Sequence, residues 1–346
     1  MDIVIVLFGL TVLFKAKYAG RGKFFDDYIS VEQCNILKGI FAVFVMLFHI
    51  YGVESHGYIF RYCGGLGYIG VAVFLVISGY GLTYQWQKKQ SGYLHGFVKR
   101  RIGPLLTPFL IMFVISAIYK KVTFTDILES VGTGKTVVEY SWFVFAIVYF
   151  YFAFLFAAKL SKGKKGVYIV GLTVFYCMYT AWCFLMKYDN GWRVVTHCFL
   201  FGSLYSLYKE PLEKAIKKFF WIIFFALTAI FFVFYIRQVE FFSLEWDASV
   251  GIYATAFAVL TFMFCSKVKL QSPVMRSLSR VSYELYVTHG LVLRVLRDVG
   301  LDKYNINLFG IAVIAGAIAL SYALHYSIFF VKKGINKVIA ERKTTV

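Results

Sequence analysis

The chain has 346 residues, of which 60% are hydrophobic, 20% are aromatic and 16% are charged, and its formal net charge is +19. Its mean hydropathy of +0.70 excludes an ordinary water-soluble protein, which would carry fewer apolar and more charged residues. The positive charge does not indicate nucleic-acid binding, because no basic stretch lies in a soluble domain. We therefore predict a membrane protein.

Eleven apolar segments follow one another along the chain, and most approach the roughly 20 residues that a helix needs to cross a bilayer. The first is short for a span. The segments are 3–16, 36–53, 66–86, 102–119, 141–158, 166–186, 194–208, 219–236, 248–265, 281–297 and 308–331. The predicted fold class is therefore all-α, a polytopic transmembrane helix bundle.

The distribution of positive charge predicts the orientation, because cytoplasmic loops are enriched in lysine and arginine. If the N-terminus lies outside, the inner segments hold 27 of the 37 basic residues. These segments are 15–38, 87–101, 159–165, 209–218, 266–280 and 332–343. We expect a multi-pass plasma-membrane protein with an external N-terminus and a cytoplasmic C-terminus. Trp142, Trp192 and Tyr304 then fit the aromatic belt at the outer interface.

The chain is predicted to form a single membrane domain, because its non-membrane stretches are too short to build a core of their own. We divide it into an N-terminal helix and loop at 1–35, a membrane domain at 36–333 and a short cytoplasmic tail at 334–346. No internal repeat is evident, and no cysteine spacing predicts a disulfide or a metal site.

The second apolar segment carries the first candidate site, because ten almost wholly apolar residues separate Lys38 from His49. At about 100° per residue, both side chains lie on one helix face, roughly 16 Å apart along the axis. A histidine this deep in hydrocarbon is costly unless it faces a cavity. We interpret Lys38 as a cytoplasmic anchor and His49 as a base within the membrane. The simpler alternatives are a juxtamembrane lysine and an interfacial histidine.

The next two segments carry small residues and a basic run. Helix packing explains most of the glycines in 67–81, and Ser78 is a candidate cavity-lining residue. Lys99, Arg100 and Arg101 precede a proline-containing helix. They are explained either by positive-inside anchoring or by phosphate binding, since arginine binds phosphate through two parallel hydrogen bonds.

Glu284 and His289 lie in the otherwise apolar tenth segment. An ionisable residue within a membrane helix is a functional candidate. We therefore regard both as candidate cavity-lining residues, although pairing with Arg280 would also explain Glu284. His197 and His325 are interpreted as packing histidines.

Together and in this order, the motifs resemble the acyltransferase-3 family of polytopic membrane acyltransferases, over about residues 33–333. The family has an Arg or Lys, ten residues and then an essential His, and Lys38 and His49 fit this spacing. Its next pattern, GxxGVxxFFxxSG, is matched except at Leu75 by Gly67, Gly70, Val71, Phe74, Ser78 and Gly79. Arg101 fits the first arginine of the third motif. Pro104 occupies the position of the second, so Arg100 is expected to compensate.

The resemblance implies ten family-type helices, to which segment 3–16 adds one more. It implies an O-acyltransferase, commonly an O-acetyltransferase, that moves an acyl group from cytoplasmic acyl-coenzyme A to a hydroxyl of an extracytoplasmic or lipid-linked cell-surface glycan. His49 is then the catalytic residue, either as general base or as the site of an acyl-histidine intermediate. The resemblance also implies that Lys38, Arg100 and Arg101 bind the phosphates of coenzyme A, which is a substrate. No permanently bound cofactor is expected.

Two other classes remain open from the sequence. A transporter or flippase for a lipid-linked sugar would use His49, Glu284 and His289 as a proton path. A membrane sensor or accessory subunit would tolerate substitution of His49.

Overall fold

The computed structural model describes the backbone of residues 1–53, 55, 57–240 and 246–344, with side chains for 1–53, 55, 57–236 and 247–335. In this part, the only strands are Lys17–Tyr18 (β1) and Val268–Lys269 (β2), which pair antiparallel. The helices are α1 Asp2–Leu13, α2 Val31–Tyr51, α3 Leu66–Lys89, α4 Ser91–Leu94, α5 Gly103–Lys120, α6 Phe124–Thr133, α7 Trp142–Ser161, α8 Lys165–Leu185, α9 His197–Leu207, α10 Lys209–Lys218, α11 Phe220–Glu240, α12 Trp246–Lys267, α13 Pro273–Ser279, α14 Ser282–Asp298, α15 Leu301–Tyr304 and α16 Ile306–Thr344.

The predicted all-α membrane architecture is confirmed. Among the described residues, seven helices are long and apolar enough to cross a bilayer, or eight if α10 and α11, bent by 92°, form one span. The remaining predicted spans coincide with α1, α9 and α14, which have 12, 11 and 17 residues. Helix length therefore does not establish the predicted count of eleven. The predicted tail continues α16 to Thr344, and residues 345–346 lie outside the described part.

Local contacts determine where α2 begins. Ser30 is its N-cap, and its hydroxyl accepts a hydrogen bond from the backbone N–H of Gln33 at 3.3 Å. The Gln33 amide also bonds both backbone groups of Leu270, at 2.8 and 3.1 Å. Six residues further along, Gly39 allows the backbone of α13 to approach, since a Cβ there would lie 2.6 Å from the Met275 carbonyl oxygen. These contacts position the helix that carries Lys38 and His49.

Small residues bring α3 against its neighbours. A Cβ on Gly79 of α3 or on Gly202 of α9 would collide with the backbone of the other helix. Gly70 faces α2 at similarly short range, whereas Gly81 has open space beside it. The packing interpretation is thus confirmed for Gly70 and Gly79, and it follows the general use of small residues in membrane helix contacts.

The connecting loops gather at two opposite ends of the bundle. We call one the basic end, because it holds the charged segments 15–38, 87–101, 209–218 and 266–280. Ion pairs join three of these segments, through Lys217 to Asp26 at 3.0 Å and Lys269 to Asp27 at 2.5 Å, and Arg101 of the fourth lines the same cavity as Asp26 and Asp27. At the opposite end, the Asp2 carboxylate accepts hydrogen bonds from the backbone N–H groups of residues 58–60. The bundle therefore presents two chemically different ends.

Candidate active site

A cavity of about 560 Å³ opens at the basic end, and we call it the basic-end cavity. Lys38 of α2, Ser78 of α3 and Arg101 lie on its wall, so the structure brings these three predicted residues together. Asp26 and Asp27 also reach this wall, but each already pairs with a lysine. Within the described part of the chain, neither Lys38 nor Arg101 forms a salt bridge. The cavity therefore offers positive charge to a ligand.

The basic run before α5 forms a π-helical turn, Val98–Ile102, a local geometry frequently found at functional sites. In this turn, the side chains of Arg100 and Arg101 form different hydrogen bonds. The Arg101 Nε donates to the Tyr93 hydroxyl at 3.0 Å, and within the described part of the chain both terminal nitrogens remain for a ligand. The Arg100 Nη2 instead donates to the Tyr93 carbonyl oxygen at 2.6 Å. Arg100 is not among the described residues of the cavity wall.

A larger cavity of about 1190 Å³ opens at the opposite end, and we call it the His49 cavity because His49 lies on its wall. Trp142 and Trp192, expected in the aromatic belt, also lie on this wall. Among the described residues, the other polar, charged and aromatic residues of the wall are Phe48, Tyr68, Lys120, Lys135, Thr136, Glu139, Tyr140, Lys187, Tyr188, Asp189, Asn190 and Arg297. The wall therefore combines aromatic side chains with hydrogen-bonding groups of both charges.

Ring contacts hold the His49 imidazole in place. The Tyr140 ring stacks on it with centroids 3.7 Å apart and planes inclined by 20°. The His289 ring lies 5.1 Å away, inclined by 27°. Tyr140 has a φ of 60°, a left-handed conformation that is uncommon for a non-glycine residue and is found at strained functional sites. Burial and the neighbouring Glu139 raise the pKa of the Tyr140 phenol.

A close helix contact brings Tyr140 to this position. Gly290 of α14 faces the segment just before α7, and a Cβ there would lie 2.6 Å from the Glu139 Cβ and 3.2 Å from the Tyr140 ring. Only glycine fits this contact without displacement. The Tyr286 hydroxyl, one turn earlier on α14, donates to the Tyr140 carbonyl oxygen at 2.5 Å. Two contacts from α14 therefore hold the residue that stacks on His49.

His289 is buried behind the wall, with 1% of its surface exposed. Its Nδ1 lies 2.7 Å from the Tyr286 carbonyl oxygen and 3.2 Å from that of Leu285. Because a carbonyl oxygen only accepts, we assign the imidazole proton to Nδ1. Nε2 is then an acceptor, and it has no hydrogen-bond partner among the described residues.

Glu284 lies apart from both cavity walls, among the residues described. Its carboxylate accepts a hydrogen bond from His325 Nδ1 of α16 at 2.8 Å, and this pairing replaces the expected one with Arg280. His197 contacts the Thr255 hydroxyl at 2.7 Å, as expected of a packing histidine.

Sequence reasoning missed Tyr140 and Gly290. Tyr140 directly precedes an apolar segment and carries no motif of its own. A signal for Gly290 was available, because a glycine inside a helix is destabilising by about 1 kcal/mol relative to alanine and often marks a close approach.

The fold and these two cavities define a polytopic helical membrane protein with a histidine-centred site. A family model described as "Acyltransferase domain" matches residues 31–326, and the chain belongs to this acyltransferase-3 family of enzymes. Residues of the chain are 29% identical to the peptidoglycan O-acetyltransferase OatA of Listeria monocytogenes serovar 1/2a (strain ATCC BAA-679 / EGD-e) over 133 residues. That match covers 36% of this chain and 20% of OatA, so the chain spans about one fifth of this relative. No solved structure matches the chain.

Proposed function

We propose that this acyltransferase is a plasma-membrane O-acetyltransferase that moves an acetyl group from cytoplasmic acetyl-coenzyme A to a hydroxyl of a cell-surface glycan. One observation carries the proposal. A single helix, α2, presents Lys38 to the basic-end cavity and His49 to the cavity at the opposite end. Donor and acceptor can therefore bind from opposite sides of the membrane.

The basic-end cavity suits a polyanionic donor. Lys38 and the terminal nitrogens of Arg101 have no carboxylate partner in the described part, and charge-assisted hydrogen bonds to phosphate are strong. The concentration of lysine and arginine at this end supports its assignment to the cytoplasm, where acyl-coenzyme A is available. We propose that Lys38 and Arg101 hold the coenzyme A phosphates and that Arg100 supports them through Tyr93.

The His49 cavity suits a sugar acceptor. Trp142, Trp192 and Tyr188 supply aromatic faces, and Asp189 and Asn190 supply hydrogen-bonding groups. A small set of polar groups among apolar walls gives ligand pockets their specificity. The name of the matched relative, a peptidoglycan O-acetyltransferase, supports a cell-wall or other surface glycan as the acceptor class.

The chemistry follows from the position of His49. The thioester arm of the donor reaches toward it along α2, over a rise of roughly 16 Å from Lys38. His49 takes the proton of the acceptor hydroxyl, and the oxygen attacks the thioester carbonyl carbon. The C–O bond forms, the C–S bond breaks, and the proton passes to the departing thiolate. In a two-step course, His49 itself would first accept the acyl group.

The test uses the full-length protein in lipid vesicles, with acetyl-coenzyme A labelled in its acetyl group and extracted cell-surface glycolipids. Wild type should label the glycan, and His49→Ala should lower the rate roughly 10²–10⁴-fold, the usual contribution of a general base. His197→Ala is the matched control, because His197 is another histidine in a helix but lines neither cavity among the described residues.

The outcomes separate the hypotheses. If His49→Ala at normal abundance keeps a rate within a few-fold of wild type, the catalytic assignment is wrong. Movement of the glycolipid across the membrane without acetylation would support a transporter instead. Label retained on the protein after incubation with donor alone, and absent from His49→Ala, would indicate the acyl-histidine course.

A further inference from the structure

The proposed acyl transfer does not account for one polar atom in the site, Nε2 of His289. His289 Nε2 is fully buried and has no hydrogen-bond partner among the described residues. Leaving a buried acceptor unpaired is unfavourable, because the atom loses its hydrogen bonds to water, so such atoms are rare.

The environment of His289 determines what Nε2 can do. Two backbone carbonyl oxygens, of Leu285 and Tyr286, face Nδ1 at 3.2 and 2.7 Å, so the proton stays on that nitrogen. Nε2 is therefore held as an acceptor. A ring that served only to fill space would need neither this fixed tautomer nor a bare nitrogen.

The nearest imidazole is that of His49, whose ring centroid lies 5.1 Å from that of His289. The centroid distances of 3.7 Å from His49 to Tyr140, 5.1 Å from His49 to His289 and 6.0 Å from Tyr140 to His289 place His289 beside the His49 ring, because Tyr140 covers its face. A hydrogen bond between the two rings therefore needs only a small reorientation of His49 about its soft Cβ–Cγ torsion, which leaves the Tyr140 stack in place.

We propose that His289 is a positioning residue for the catalytic base: its Nε2 accepts an N–H of His49 during turnover. This inference rests on the proposed function and adds a second residue to it. The chain of hydrogen bonds then has one consistent direction, in which each N–H donates to the next acceptor. His289 Nδ1–H donates to Tyr286, His49 donates to His289 Nε2, and the other His49 nitrogen accepts from the acceptor hydroxyl.

This arrangement gives His289 the role that a carboxylate has in other catalytic triads. It selects the His49 tautomer whose free nitrogen faces the substrate and stabilises the imidazolium formed when that nitrogen takes the hydroxyl proton. His289 itself gains and loses no covalent bond. The proton remains on His49 until it passes to the thiolate of the donor.

Two substitutions distinguish this role from packing. His289→Asn places its amide nitrogen where Nδ1 lies, so it keeps the bond to the Tyr286 carbonyl oxygen and removes Nε2. His289→Gln extends its amide toward the Nε2 position but loses that backbone bond. Asparagine should therefore preserve stability, and glutamine should preserve activity.

The experiment measures kcat, both KM values and the thermal unfolding midpoint in lipid vesicles, with acetyl-coenzyme A and the glycolipid extract. His289→Asn should unfold at the wild-type temperature, with kcat lowered roughly 10–100-fold and KM values within a few-fold, as when a group that orients a reactive imidazole is lost. His289→Gln should unfold earlier and yet turn over faster than His289→Asn. His49→Ala/His289→Asn should be no slower than His49→Ala alone, because His289 acts through His49.

Each result that contradicts the role of His289 has a distinct interpretation. If activity follows stability, with the glutamine variant the slower one, His289 is a packing residue. A wild-type kcat in His289→Asn, alongside an inactive His49→Ala, overturns this inference and leaves the proposed function intact. An active His49→Ala overturns the catalytic assignment of the proposed function itself.

Discussion

The key side chains of the two cavities of this acyltransferase act through different interactions. Both walls carry charged residues, but in the basic-end cavity Lys38 and Arg101 form no salt bridge among the described residues, and Asp26 and Asp27 already pair with lysines. At the opposite end, His49 is held by the rings of Tyr140 and His289. The two cavities are therefore suited to different tasks. Long-range charge attracts and anchors a ligand, whereas fixed ring geometry orients a reactive group.

The difference predicts that substitutions at the two ends affect different kinetic constants. Removing a cation from the basic-end cavity should weaken donor binding. Disturbing the ring cluster should slow the transfer step, because an interaction that orients the base contributes only in the transition state.

The largest of these effects is expected at Arg101. Arg101→Ala should raise the KM for acetyl-coenzyme A roughly 10–100-fold, because a hydrogen bond to a charged group contributes about 1.5–3 kcal/mol. Arg100→Ala is the matched control and should have a smaller effect, since its guanidinium binds the Tyr93 carbonyl oxygen outside the cavity wall. Lys38→Arg should be milder than Lys38→Ala, because it keeps the charge. Steady-state kinetics at saturating acceptor measure all four.

An equal rise in donor KM for both arginine variants would contradict the assignment of the two side chains. An unchanged donor KM in Arg101→Ala, Arg100→Ala and Lys38→Ala would mean that coenzyme A does not bind at this end.

Gly290→Ala tests the role of the ring cluster directly, because it alters the cluster without removing a polar group. Gly290→Ala should lower the free energy of unfolding by about 1–3 kcal/mol through overpacking against Glu139. It should also lower kcat, because the displaced segment carries Tyr140. Gly171→Ala is the control, since its Cβ would meet Ala157 at an ordinary 3.4 Å. Thermal unfolding and kcat are measured on both, and a neutral Gly290→Ala would show that α14 does not hold Tyr140.

The smallest effect concerns the Tyr140 ring and backbone. Tyr140→Ala and Tyr140→Gly both remove the stacked ring, so each should lower kcat roughly 2–10-fold, the equivalent of an aromatic contact worth about 0.5–1.5 kcal/mol. The glycine variant should be the more stable by about 1 kcal/mol, because the left-handed conformation at φ 60° strains alanine. Tyr140→Phe should keep both properties. If kcat instead rises with stability across the three variants, the stack has no role in transfer.

Some of this protein could be predicted from the sequence because the relevant physics is local. Hydropathy predicts the membrane helices, since a bilayer requires a continuous apolar stretch. The period of the α-helix places Lys38 and His49 on one face, whatever surrounds α2. The chain order of the motifs then predicts the acyltransferase-3 family, which the family comparison confirms.

Which residues contact one another depends on the tertiary structure and could not be predicted from the sequence. His49, Tyr140 and His289 are far apart in the chain, and their cluster depends on the close approach of α14 that Gly290 permits. The two neighbouring arginines likewise bond to different atoms of Tyr93, the carbonyl oxygen and the hydroxyl, through a π-helical turn that composition does not predict. Periodicity along one helix determines the direction of a side chain, but contacts between distant helices depend on shape and packing across the whole bundle.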